Sequence, residues 1–154
     1  MSRPRDMNEE AQVDAVEKMS GPLTARCLCG SVTITVSELS PHYHVCHCDM
    51  CRRWNGGPSM TVVAKEAKFD GEGAISVYDS SEWARRAFCA KCGSNLYYRL
   101  NQSDDWFLWA GLFDDQSQFA IAQEIYVDKK PPGYSFLGNH PRLTEEEFLK
   151  SIGK

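Results

Sequence analysis

From Leu23 onward, hydrophobic and polar positions alternate in short runs. Val32, Ile34 and Val36 interleave with Thr33, Thr35 and Ser37, the period of two that gives a strand one buried and one wet face. Similar runs at 60–64, 75–78, 84–88, 95–100, 106–110 and 121–127 are divided by turn signals such as Asp70-Gly71, Gly73 and Asn101. Many short strands with no helical period between them predict an all-β fold of short-stranded antiparallel sheets. Thr144, followed three residues later by Glu147, forms a capping box, and Leu143 with Phe148 has the spacing of a hydrophobic staple. A short C-terminal helix from about Glu145 is expected. Residues 1–22 carry charge mixed with a few apolar positions (Ala11, Val13, Ala15, Val16) and close on Gly21-Pro22. They read as a flexible N-terminal arm ahead of a single domain over 23–154.

Composition narrows the picture. A chain of 154 residues with 42% hydrophobic and 11% aromatic content has material for one modest core. A formal net charge of -4 supplies no cationic field for a phosphate backbone, so a nucleic-acid partner is not expected. No run approaches the roughly 18 apolar residues of a membrane span, and the polar opening lacks the apolar core of a signal peptide. A cytoplasmic protein without a membrane partner is the expectation.

A reducing compartment changes how the seven cysteines read. Seven is odd, and Cys27-x-Cys29, Cys46-x-Cys48-x-x-Cys51 and Cys89-x-x-Cys92 set thiols one or two residues apart. That spacing suits chelation of one ion and would strain a disulfide. Structural zinc takes four ligands in a tetrahedron, and two chelating pairs from distant segments supply them. Cys27, Cys29, Cys89 and Cys92 fit, each pair followed by a glycine (Gly30, Gly93) that allows the backbone to turn around the metal.

Cys46, Cys48 and Cys51 remain, one ligand short of a closed site. An ion with three protein ligands keeps a position for water or substrate. His42, His44 or His47 could instead close the site as a three-cysteine, one-histidine zinc, or the trio could hold no metal and act as redox thiols. Arg52 and Arg53 follow immediately. They could offset the excess negative charge of thiolates and receive a substrate carboxylate through paired hydrogen bonds. Gly56-Gly57 offers a turn nearby, and Trp54 an apolar wall.

Taken together, Cys27-Leu28-Cys29-Gly30, Cys46-His47-Cys48-Asp49-Met50-Cys51-Arg52-Arg53 with Gly56, and Phe88-Cys89-Ala90-Lys91-Cys92-Gly93-Ser94 resemble the glutathione-dependent formaldehyde-activating enzyme family, which includes the centromere protein V domain. The resemblance covers roughly residues 23–135. It implies an all-β zinc-bound fold, with a structural zinc on the first and last motifs and a second, more labile zinc on the middle one. It further implies a carbon–sulfur lyase or synthase of the S-(hydroxymethyl)glutathione synthase type, joining glutathione to formaldehyde. One position departs from the pattern: Glu124 stands where the family often has histidine. A zinc- or glutathione-binding module without catalysis is the alternative, and turnover with thiol plus aldehyde separates the two.

Overall fold

The computed structural model describes residues 17–154. Its order is β1 (Met19–Arg26), β2 (Thr33–Cys46), helix α1 (Asp49–Asn55), β3 (Ser59–Ala64), β4 (Lys68–Asp70), β5 (Ile75–Tyr78), β6 (Ala84–Cys89), β7 (Asn95–Leu100), β8 (Trp106–Trp109), β9 (Ala120–Ile125), β10 (Arg142–Leu143) and helix α2 (Glu145–Ser151). The fold is therefore mostly β, with a short C-terminal helix. Strand β1 already begins at Met19, four residues ahead of the point where alternation becomes legible, and Met19 is buried. The stretch assigned to an N-terminal arm otherwise lies, over residues 1–16, outside the described residues.

Strand β2 organises the architecture. Its first half pairs antiparallel with β1 and β4, and its second half enters the larger sheet in the order β10-β9-β2-β3-β8-β7-β6-β5. Val32, Ile34, Val36 and Leu39 are buried, with Val62, Leu96 and Leu108 from the larger sheet in the same core cluster. The period-two pattern thus does what it predicts: one face enters the core. Near the crossover sits buried Pro41, and the β2–β3 register shifts between Ser40 and His44. A residue without a backbone N–H is tolerated where the ladder is already interrupted.

Two pairings are parallel, β2 with β9 and β9 with β10, where antiparallel sheets were expected throughout. They bring the chain's last quarter alongside Cys46, since Cys46 pairs with Ile125 and Val45 with Glu124. The segment after Cys48 is also more ordered than a turn. Cys48 is the N-cap of α1, its sulfur accepting from the Cys51 amide at 3.4 Å, and Gly56 closes the helix at φ 77.

Asp70-Gly71 makes its turn against the loop that carries Ser31. Gly71 has φ +86, and a Cβ there would lie 1.9 Å from the Ser31 carbonyl oxygen. Gly71→Ala is expected to cost about 1–3 kcal/mol from backbone strain, plus a shift of that loop. Gly73, where a Cβ meets nothing within 4 Å, should accept alanine with a much smaller change. Thermal or urea unfolding of the two variants checks the difference; equal stabilities would contradict it.

Candidate metal centre

The turn after β1 and the turn after β6 meet. Gly30 N–H bonds to the Cys27 carbonyl at 3.1 Å, and Gly93 N–H to the Cys89 carbonyl at 2.7 Å. Both glycines have positive φ, 79° and 81°, which is where a side chain would be strained. The Leu28 amide donates to the Ser94 hydroxyl at 3.0 Å, joining the two turns directly. The ligand atoms of Cys27, Cys29, Cys89 and Cys92 consequently all fall within 4.8 Å of one another.

A zinc ion bonded to four sulfurs at 2.3 Å spaces them about 3.8 Å apart along the edges of a tetrahedron. Cys27 and Cys29 sulfurs stand 3.6 Å apart, and those of Cys29 and Cys89 3.8 Å. The donor set therefore fits a closed four-sulfur centre. The surroundings favour anionic sulfur as well. Val32 N–H lies 3.3 Å from the Cys27 sulfur, and hydrogen bonding from Ser94, hydroxyl first and then amide, holds the Cys92 thiol down to about 5.

The second cluster forms at the end of β2. Cys46 closes that strand, Cys48 caps α1 and Cys51 lies in its first turns, and their ligand atoms are likewise within 4.8 Å of one another. Among the described residues no histidine, aspartate or glutamate completes this group. His47 is turned away, as successive residues of an extended chain alternate in direction. Its ring is fully buried, with Nε2 2.7 Å from Glu124 and Nδ1 3.0 Å from the Tyr134 hydroxyl. His44 instead sets its ring edge-on to Phe107. The trio can hold a metal with a coordination position left over, and it lies against a cavity of about 590 Å³ lined by Cys46, Cys48 and Cys51 together with Arg86 and aromatic side chains.

Arg86 is the cation that reaches the trio. Its side chain is buried, its Nη2 is 3.6 Å from the Cys51 sulfur, and its guanidinium lies 5.0 Å from the Tyr98 ring and 5.9 Å from that of Trp54. A buried guanidinium is costly without an anion, and the thiol cluster is the anion on offer. Hydrogen bonds from Cys46 and Cys48, with Ser59 and Arg86 adding, hold the Cys51 thiol far below its usual value. Cys46 is pushed the other way by its contacts with Cys48 and Cys51 and by burial.

Arg52 and Arg53 sit differently. The Arg52 Nε donates to the His47 carbonyl at 3.0 Å, with Nη2 3.5 Å from Asp49; Arg53 pairs with Asp49 at 3.1 Å and its side chain is 79% exposed. Neither borders the cavity, whereas Asp49 does. Trp54 also lies outside the cavity lining, stacked on Tyr78.

Glu124, singled out in the sequence only as a departure, is a buried carboxylate with three partners. His47 contacts one oxygen; His140, at 2.5 Å, and Arg142, at 3.0 Å, contact the other. Nothing in the spacing of positions 47, 124, 140 and 142 announces this cluster, because parallel pairing of β9 and β10 assembles it.

A family model described as glutathione-dependent formaldehyde-activating enzyme matches residues 22–129. The chain belongs to this family. A Schizosaccharomyces pombe protein named an uncharacterized lyase is 31% identical over 130 residues, which is 83% of this chain and 95% of that protein. A Podospora anserina protein, provisionally named for glutathione-dependent formaldehyde activation, is 29% identical over 54% of this chain and 42% of its own length. The crystal structure of a Rhodobacter sphaeroides protein shares the fold with a TM-score of 0.51 at 19% identity, covering 77% of this chain and 98% of that one. No helix among the described residues is long and apolar enough to cross a membrane.

Glu124 supplies a prediction for stability. Burial works to raise its pKa, but the hydrogen bonds from His140 and His47 and the charge of Arg142 outweigh it, so the folded value falls below the unfolded 4.5. A carboxyl depressed in the folded state stabilises above its unfolded pKa, and that contribution fades as pH drops below about 4.5 toward the folded value. Glu124→Ala, which leaves the buried His47 and His140 rings without their carboxylate partner, is expected to cost about 1–3 kcal/mol. Glu124→Gln should flatten the loss of stability in acid. Urea unfolding at pH 7 and pH 4 reads both, and an unchanged acid slope in Glu124→Gln would remove Glu124 as its source.

Proposed function

We propose that the chain is a zinc-dependent carbon–sulfur lyase, working in either direction on the adduct of a small thiol with an aldehyde. The family description points to glutathione and formaldehyde, hence to an S-(hydroxymethyl)glutathione synthase activity, and the name of the S. pombe relative supports a lyase. What carries the reading is the contrast between the clusters: four thiols close upon one another, and three stand open to a cavity. Cys27, Cys29, Cys89 and Cys92 would hold a structural zinc, and Cys46, Cys48 and Cys51 a second, more labile one. Bound at the trio, zinc supplies the positive charge that keeps a substrate sulfur in its thiolate form near neutral pH.

The chain's own side chains handle orientation and charge. Arg86 donates toward Cys51 and sets a fixed positive charge where an anionic sulfur would lie. Tyr98, Phe107 and Trp109 line the space in which the adduct would lie. Lys129 and Lys154, also on the cavity lining, are placed to meet carboxylates of a peptide thiol. Arg52 and Arg53 assist substrate binding at one remove, by neutralising Asp49, the carboxylate on the lining that would otherwise repel the same groups. In synthesis the thiolate sulfur bonds to the aldehyde carbon, the carbonyl electron pair moves to oxygen, and the alkoxide takes a proton from water. In cleavage the hydroxyl loses that proton, the carbonyl re-forms and the carbon–sulfur bond breaks to return the thiolate.

Exchange NMR of glutathione with formaldehyde, in the presence of zinc-loaded protein, tests the activity. The protein should accelerate adduct formation over buffer, and that protein-dependent rate should be lost in Cys48→Ala and fall about 10–100-fold in Arg86→Gln, the scale of one charge-assisted hydrogen bond. Adduct formation no faster than in buffer, with zinc present at the trio, would reduce the chain to a binding module.

A further inference from the structure

The cavity over the trio is built for more hydrocarbon than a one-carbon electrophile carries. One side presents Tyr98, Phe107 and Trp109 from the sheet and Trp83 from the bend before β6, and the other carries Tyr126 and Phe148, whose rings lie 5.9 Å apart. Helix α2 accounts for much of the second side. Its capping box fixes the start at Thr144, and Glu145, Phe148, Leu149 and Ile152 follow at one-face spacing. All four border the cavity, while no residue of α2 is buried in the core. An amphipathic helix ordinarily spends its apolar face on the core; this one spends it on the cavity. Exposed apolar side chains collect there too: Met50 (39%), Trp83 (58%) and Ile152 (52%) are three of the large ones left open to solvent, and all three line the same space. Apolar surface concentrated around a concave site marks the chemistry of its occupant.

Neither half of the family's named reaction uses these walls. Formaldehyde has no hydrocarbon group, and glutathione is a peptide with two carboxylates and an ammonium. We infer that the preferred electrophile is a larger apolar aldehyde, aryl or medium-chain alkyl. Its hydrocarbon part packs between the Trp109 side and the Phe148 side, while the sulfur of the adduct lies at Cys46, Cys48 and Cys51. The inference rests on the proposed carbon–sulfur reaction for its choice of substrate and on the cavity alone for its preference. The bond changes are those of that reaction, with the aldehyde carbon carrying the apolar group in place of a hydrogen.

Stable thioethers separate preference from turnover. S-benzylglutathione stands in for the aryl aldehyde adduct and S-methylglutathione for the one-carbon adduct, both lacking the hydroxyl that allows cleavage. In calorimetric titration of the metal-loaded wild-type protein, the benzyl compound should bind at least about tenfold more tightly, the effect of removing one phenyl group from water. Phe148→Ala should shrink that ratio severalfold. Equal affinities, absence of S-benzylglutathione binding, or a ratio untouched by Phe148→Ala would overturn the inference. The wild-type comparison needs no variant to fold. Because binding is read without turnover, failure with glutathione and formaldehyde would sink the S-(hydroxymethyl)glutathione synthase reading and leave this preference standing, whereas equal thioether affinities would do the reverse.

Discussion

Four sulfur ligands crowded within 4.8 Å cannot all carry charge unless a cation sits among them. Cys27 and Cys29 come from the turn between β1 and β2, while Cys89 ends β6 and Cys92 lies in the turn to β7. A metal held by all four locks two distant parts of the chain together. That lock reaches the other cluster. Strand β6 carries Arg86 only three residues before Cys89, and Arg86 is the cation beside Cys51. Loosening the first cluster would release the strand that places the charge at the second.

The trio depends equally on what lies behind it. Alternation along the chain sends Cys46 and Cys48 to one side and His47 to the other, where buried Glu124 joins it to His140, Arg142 and Tyr134 in a polar cluster. The His47 amide is also bonded to the Ile125 carbonyl at 3.1 Å, which fixes the turn between two of the three thiols. A histidine beside two cysteines therefore serves the scaffold here. Rigid support of this kind keeps a ligand set from collapsing around its own metal, leaving the remaining position to substrate.

Local signals were legible in the sequence, and long-range assembly was not. Alternation located most strands because one face of each is buried, and Thr144 with Glu147 located α2 because the two halves of a capping box are only three residues apart. Cysteine spacing separated the clusters for the same reason: chelating pairs are local. Strand β2 ran longer than its alternation suggested, since Pro41-His42-Tyr43-His44 carries no apolar–polar alternation to read, although the chain stays extended through it. Arg86 could have been suspected as a charge within the mostly apolar run 84–88, but nothing in sequence spacing links it to Cys51, 35 residues earlier. Arg52 and Arg53 drew notice by adjacency, yet the helix that forms after Cys48 turns both toward Asp49.

Two centres of unequal closure are the heart of this account, and cadmium NMR of protein loaded with two equivalents of isotopically enriched cadmium counts the sulfurs at each. Two resonances are expected, one at the position of four sulfur ligands and one upfield, at the position of three sulfurs with a lighter donor. Added glutathione should move only the second, toward the four-sulfur position. A single resonance, or two four-sulfur resonances before any thiol is added, would contradict the account.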